Sequence, residues 1–216
     1  MNIEKYTDRA KGFLQAAQTI ALREGHQQFT PEHLLKALLD DNEGMAAGLI
    51  TRAGGQAKLA LQLTDASLAK LPKVSGGGAG NLNLTPALAR VFDTAEKSAE
   101  KTGDSFVTVE RLLLALAVEK DSEAGKALAK AGLTPQNLNA AIETLDALAS
   151  IAATLDQRPA REWRHLEDTT YDPVIAARRP KGWLSWQRSE DYYNEGMLTW
   201  LEVDATLRRL TGGQKG

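Results

Sequence analysis

The 216-residue sequence contains no cysteine. That excludes a disulfide framework, thiol catalysis and cysteine-ligated zinc. Histidine is nearly as scarce: His26, His33 and His165 are the whole supply, and none begins the His-Glu-x-x-His pattern that sets two imidazoles on one helical face around a zinc ion. Charge of one sign is missing too, since 26 Lys and Arg are interspersed among 28 Asp and Glu for a net charge of −2. A surface so balanced lacks the basic field of a nucleic-acid binder. Long apolar runs are absent, and stretches such as Leu112 to Val118 fall far short of the roughly 20 residues that cross a bilayer. The first residues, MNIEKYTDRAKGF, hold no apolar core for a secretion signal. The expectation is a reduced, cytoplasmic protein with no membrane and no nucleic-acid partner.

What the sequence does have is a repeat. Residues 7–54 align without a gap on residues 85–132 at an offset of 78, with 13 of 48 positions identical. Thr7 meets Thr85, Gly25 meets Gly103, Thr30 meets Thr108, Glu32 meets Glu110, Leu34 and Leu35 meet Leu112 and Leu113, and Gly54 meets Gly132. Such self-similarity makes a repeated structural unit the first hypothesis.

Each copy reads as four helices. Ala10, Leu14, Ala17 and Ala21 recur at helical spacing after a Thr7 cap and stop at Gly25; Thr85-Pro86 opens the twin helix. Thr30-Pro31 and Thr108-Val109 are predicted to cap short helices bearing the leucine pairs, and third helices end at Ala53-Gly54 and Ala131-Gly132. Fourth helices are predicted from about Gln56 to Leu71, and from about Gln136, after Thr134-Pro135, into the 150s. No stretch alternates as a half-buried strand would. Between the copies, PKVSGGGAGNLNL, Pro72 to Leu84, reads as a flexible linker that does not pack. It lacks the Lys-Ser/Thr of a P-loop, so its glycines predict no nucleotide site.

With FTPEHLLKALL, VSGGGAG, LTPALARVFDTAEKSAEKTGDSFVTVERLLLAL and AGLTPQNLNAAIETL in that order, residues 1–146 resemble the N-terminal Clp repeat domain of ClpB-type disaggregases. The resemblance implies an all-α fold: a duplicated four-helix repeat of eight helices with a pseudo-twofold, repeat one at about 1–71, a linker at 72–84 and repeat two at about 85–146. It implies a polypeptide-binding module that recognises unfolded or aggregated clients, with no catalysis, cofactor or metal of its own and a AAA+ disaggregase as possible partner. It also implies client-binding roles for Thr7, Asp104 and Glu110 as a polar cluster and for Phe92 in an apolar groove. Each polar residue has a plain alternative: Thr7 as an N-cap, Glu110 as an acid favouring the positive end of its helix. By the same resemblance, Thr94, Ser98 and Arg111 stand where some relatives place leucines along the groove, which implies a less apolar groove.

After Asp146 the composition changes, with all four Trp and three of the four Tyr in the remainder. RPAREWRHLEDTTYDPVIAARRPKGWLSWQRSEDYY and EGMLTWLEVDATLRRLTGGQKG resemble the later catalytic region of glycyl-aminopeptidase-like zinc peptidases, over about 148–216. The zinc motif of those enzymes is not in the 216 residues, which predicts no enzyme activity. Tyr193, in Tyr-x-x-Gly, resembles their oxyanion-stabilising tyrosine and can serve only beside a metal. This second part, 147–216, is expected to be an irregular segment, Gln157 to Arg188, and one long C-terminal helix from about Ser189. The apolar face of that helix, with Trp183, Trp186 and Trp200, suggests self-association. A chain joining two protein types, with no motor sequence following the repeats, also reads as a fusion or truncation product or as an inactive peptidase remnant.

Overall fold

The computed structural model describes residues 2–41, 43–74, 82–157 and 191–211. They divide between two compact units, Met1–Glu143 and Thr144–Gly216.

In the first unit a 3₁₀ turn, Ile3–Lys5, leads into α1, Asp8–Arg23, and then α2, Pro31–Leu39, α3, Met45–Arg52, and α4, Ala57–Leu68. The second copy supplies α5, Pro86–Thr102, α6, Val109–Val118, α7, Glu123–Lys130, and α8, Pro135–Asp156. The shift of 78 carries α1 to α5 and α3 to α7 residue for residue at their starts. Thr7, Thr85, Ser122 and Thr134 hydroxyls accept first-turn N–H bonds as caps. The two leucine helices start differently: Thr108 makes no side-chain capping bond, whereas Thr30 opens α2 in a capping box in which the His33 ring accepts the Thr30 N–H. Gly54 and Gly132 end α3 and α7 in the left-handed region, at φ 85° and 84°. Their turns meet, with the Gln56 N–H donating to Ala131 O at 2.8 Å.

The core is built around α2 and α6, which pack on each other, α2 also against α1 and α4, and α6 against α5 and α7. Leu34, Leu35, Leu38, Leu112, Leu113 and Leu116 are all fully buried there. The apolar stripe of α1 (Ala10, Leu14, Ala17, Ala21) and that of α5 (Leu88, Val91, Phe92, Ala95, Ala99) close the two ends.

The repeats also exchange short extended segments. β1, Gln28–Phe29, pairs in parallel with β2, Asn83–Leu84, and Tyr6 bridges in parallel to Val107. Tyr6 and Leu84 are twins at the offset, as are Phe29 and Val107, so the segment before each repeat's first helix binds the other repeat. This corrects the linker reading at both ends. The Val74 N–H donates to Gly25 O at 2.9 Å, Lys73 bridges antiparallel to His26, and Asn83 and Leu84 form β2. Residues 75–81 lie outside the described part.

Helix α8 corrects the search for apolar runs. Its 22 residues are long and apolar enough, by length and composition alone, to cross a membrane, because alanines fill the gaps between its few acids. Its Leu138 and Ile142 are buried in the first unit. In the second unit the described residues are the end of α8, with Leu155 buried, and α9, Asp191–Thr211, where Glu195 is buried. Trp200 and Leu210 are 72% and 74% exposed on α9. The expected irregular segment, with Trp183 and Trp186, lies outside the described residues, as does the Tyr193 side chain.

Candidate functional site

Thr7, Asp104 and Glu110 all attach to one stretch of chain, residues 104–111, between α5 and α6. Thr7 caps α1 through its hydroxyl, which accepts from the Ala10 N–H at 3.2 Å, while its own N–H donates to Val107 O at 3.1 Å. That second bond pins the start of α1 onto the other repeat. Asp104 closes the turn after Gly103: its Oδ2 accepts from Arg111 Nε at 3.1 Å and Nη2 at 3.0 Å, and from the Thr102 hydroxyl at 2.7 Å. The Arg111 side chain is only 8% exposed, so its charge is committed to Asp104 and its stem packs in the fold. Thr94 and Ser98 are half-buried on α5.

Phe92 lies beneath this corner. It is 3% exposed, and its ring meets Tyr6 edge-on, with centroids 6.3 Å apart at 89°. The Tyr6 hydroxyl donates to Glu96 at 3.0 Å, and burial together with that carboxylate pushes the phenol pKa up. The aromatic that faces solvent is one the sequence reading passed over. Phe106, 52% exposed, immediately precedes Val107, whose carbonyl and N–H are both held, by Thr7 and by Lys5. A lone exposed phenylalanine carries little signal in sequence; it gains meaning from the rigid backbone beside it.

The pseudo-twofold supplies an internal comparison. Glu32 and Glu110 are twins, each the second residue of its helix. Glu32 is 6% exposed, and its Oε1 accepts the Ala124 N–H of α7 at 2.8 Å, capping a helix of the other repeat. Glu110 is half-buried and makes no hydrogen bond or ion pair among the described residues. Thr85 and Thr7 differ in the same sense: the Thr85 hydroxyl also donates to Phe29 O at 2.9 Å, whereas the Thr7 hydroxyl has no matching acceptor among the described residues. Asp104 and Arg111 are twins of His26 and His33, whose rings bond at 2.9 Å. One fold position is thus filled by an ion pair in one repeat and a neutral imidazole pair in the other.

Because Glu32 is structural, Glu32→Ala should leave a buried helix N–H without a partner and cost about 1–3 kcal/mol. Thermal melting checks this, and Glu110→Ala should melt with the parent protein, since its carboxylate caps nothing.

Among the described residues no group of three or more His, Asp or Glu is placed to hold a metal ion. The chain matches the family model for the Clp repeat (R) N-terminal domain over residues 5–131 and that for the M61 glycyl aminopeptidase over residues 127–199. It is 66% identical to the chaperone protein ClpB of Rhodopseudomonas palustris over 183 residues, 81% of this chain and 21% of that protein, an alignment longer than residues 1–146. To ClpB of Rhizobium meliloti it is 61% identical over 145 residues, covering 67% of this chain and 17% of that protein. The chain therefore spans about a fifth of the length of the curated relatives it matches. Among solved structures it resembles the Hsp104 N-terminal domain from Candida albicans, at TM-score 0.56 and 20% identity over 63% of this chain and 88% of that one. The N-terminal domain of the ClpV1 ATPase from E. coli is similar at TM-score 0.56 and 22% identity, over 67% of this chain and 88% of that one. These likenesses bear on the fold.

Proposed function

Since the chain belongs to the Clp repeat N-terminal domain family, we propose that its first unit binds exposed segments of unfolded or aggregated polypeptides at the corner formed by Thr7, Asp104 and Glu110. Phe106 is the exposed apolar contact of that corner, and Phe92, packed on Tyr6 and closed from solvent, supports it from beneath. The unit makes and breaks no covalent bond; it holds the client. By the same reading a AAA+ disaggregase is its partner, and its compartment is the cytoplasm.

The observation that carries this proposal is the unequal use of twin residues. Glu32 and Thr85 spend their hydrogen-bonding capacity inside the fold, while Glu110 and the hydroxyl proton of Thr7 keep theirs for an incoming group. A half-buried carboxylate with no partner attracts client N–H groups or a cationic side chain, and partial burial strengthens such a bond relative to one in water.

The test is fluorescence anisotropy of labelled, permanently unfolded casein with the full chain. Thr7→Ala combined with Glu110→Ala should raise Kd about tenfold, equivalent to losing about 1.4 kcal/mol of charge-assisted bonding, while circular dichroism stays that of the parent. Unchanged affinity in a folded double variant would remove this corner from the binding site.

The peptidase-like residues 127–199 are proposed to add no hydrolysis. The general base and the two histidines that hold zinc in His-Glu-x-x-His do not occur in the sequence.

A further inference from the structure

We propose that a client docks as an added extended strand along the backbone edge Gly103–Phe106, whose twin edge Gly25–Gln28 is covered by two pieces of the chain's own linker, one bridging antiparallel at His26–Lys73 and one parallel at Gln28–Asn83. The inference rests on the polypeptide-binding reading above and specifies the client's conformation at that same corner.

In the first repeat three alternate carbonyls are occupied. Gly25 O accepts from the Val74 N–H at 2.9 Å, Gln27 O from the Asn83 N–H at 2.8 Å, and Phe29 O from the Thr85 N–H at 3.0 Å. Their twins in the second repeat are Gly103, Ser105 and Val107. Val107 O is occupied in the matching way, by the Thr7 N–H. Gly103 O and Ser105 O receive no donor among the described residues. The reason lies just ahead of α1. There the chain winds into the 3₁₀ turn, so the Lys5 N–H, twin of the Asn83 N–H, is spent on Asn2 O.

The backbone at the two edges is otherwise alike. Gly25 and Gly103 sit at φ 73° and 78°, and the residue after each donates its N–H into the preceding helix, His26 to Ala21 O and Asp104 to Ala99 O, both at 2.9 Å. What differs is the space alongside. A methyl group built on Gly25 would touch Val74 O at 3.1 Å, whereas one built on Gly103 meets nothing within 4 Å. Beside Gly103 the second edge has the backbone shape that accepts Val74 in the first, and there it is open.

Carbonyls two residues apart match the period-two N–H groups of an extended chain. A helical client would have committed those donors internally, so the edge selects unfolded segments by backbone geometry rather than by sequence. Side-chain preference comes from the rim. Phe106, 52% exposed, replaces Gln28 of the first repeat and offers apolar contact beside the added strand.

The deciding experiment titrates isotope-labelled full-length chain with a short unstructured casein peptide and follows backbone carbonyl shifts by NMR. Gly103 and Ser105 carbonyls should move downfield, with Gly25 and Gln27 unmoved. The peptide N-methylated at alternate residues should bind at least tenfold more weakly, and Phe106→Ser should weaken the parent peptide roughly tenfold through lost apolar burial. If the peptide binds and Thr7→Ala with Glu110→Ala weakens it, yet neither carbonyl moves and N-methylation has no effect, the added-strand inference fails while the client-binding reading stands. If the full chain binds no peptide, both fail.

Discussion

Lowering the pH from 7 to 4 should cost the first unit about 3 kcal/mol through the burial of one residue, His33. His33 is fully buried, and its ring is held neutral by the bonds around it. The Thr30 N–H donates to Nδ1 at 3.2 Å, and the Thr30 hydroxyl, 2.9 Å from the same nitrogen, is free to donate to it as well, which assigns Nδ1 as the acceptor. The proton therefore rests on Nε2 and is donated to His26 Nδ1 at 2.9 Å. A second proton on His33 would face the Thr30 N–H, and a proton on His26 Nδ1 would face the His33 N–H. Burial, and then the neighbouring His26, push the His33 pKa from 6.5 down to about 4. The His26 pKa is lowered by burial and by Lys73, with Glu24 opposing.

For an imidazole whose folded pKa is depressed, the contribution is complete above the unfolded value of 6.5 and is lost as pH falls through about 4. The loss should appear as a fall in melting temperature of about 6–12 °C across that window. Carboxylates titrate over part of the same range, so the informative quantity is the difference from a variant without the imidazoles. The twin pair suggests one: His26→Asp with His33→Arg installs the ion pair that Asp104 and Arg111 make in the second repeat. A flatter melting profile than the parent's between pH 6.5 and 4 supports this account, and parallel profiles overturn it.

The twin positions also show where sequence reasoning succeeds. The offset of 78 located both copies, and glycines at C′ positions together with Thr caps placed most helix ends within a residue or two, because those signals are local. It failed where the bonds belong to backbone atoms of distant residues. Val74 N–H to Gly25 O and Asn83 N–H to Gln27 O have no side-chain signature, so a glycine-rich linker read as unattached at ends that are held. Strands of two residues are too short to alternate. The same exchange hid Phe92: its cover, Tyr6, arrives from ahead of the other repeat's first helix, so a helix face that looked open in sequence is closed. Glu32 and Glu110 look identical in the alignment, and only the placement of α7 shows that one is a cap and the other uncommitted. Resemblance singled out Thr7, Asp104 and Glu110; their unequal use beside their twins Thr85 and Glu32 leaves no mark in the sequence.

That lesson makes Gly125→Ala a severe test, because helix propensity and structure give opposite signs. Gly125 lies within α7, where alanine is ordinarily favoured by up to about 1 kcal/mol, and its twin in the alignment is Ala47. Yet the turn before α7 is wound tightly onto it: the Ser122 hydroxyl donates to Glu119 O at 2.8 Å and accepts from the Gly125 N–H at 2.9 Å. A Cβ at Gly125 would run into the Glu119 carbonyl oxygen and lie 2.8 Å from its carbon and 3.2 Å from Leu116 O, all backbone atoms that no rotamer change can move. Relief requires the turn to open, and with it the α7 N-terminus that Glu32 caps at Ala124. Gly125→Ala should therefore lose about 3 kcal/mol, roughly 6–12 °C in melting temperature. Gly48 in α3 is the control, exposed and with nothing within 4 Å of a built methyl. There alanine should stabilise by about 0.5–1 kcal/mol. If both variants melt above the parent, propensity governs α7 and the tight turn before it is not a constraint.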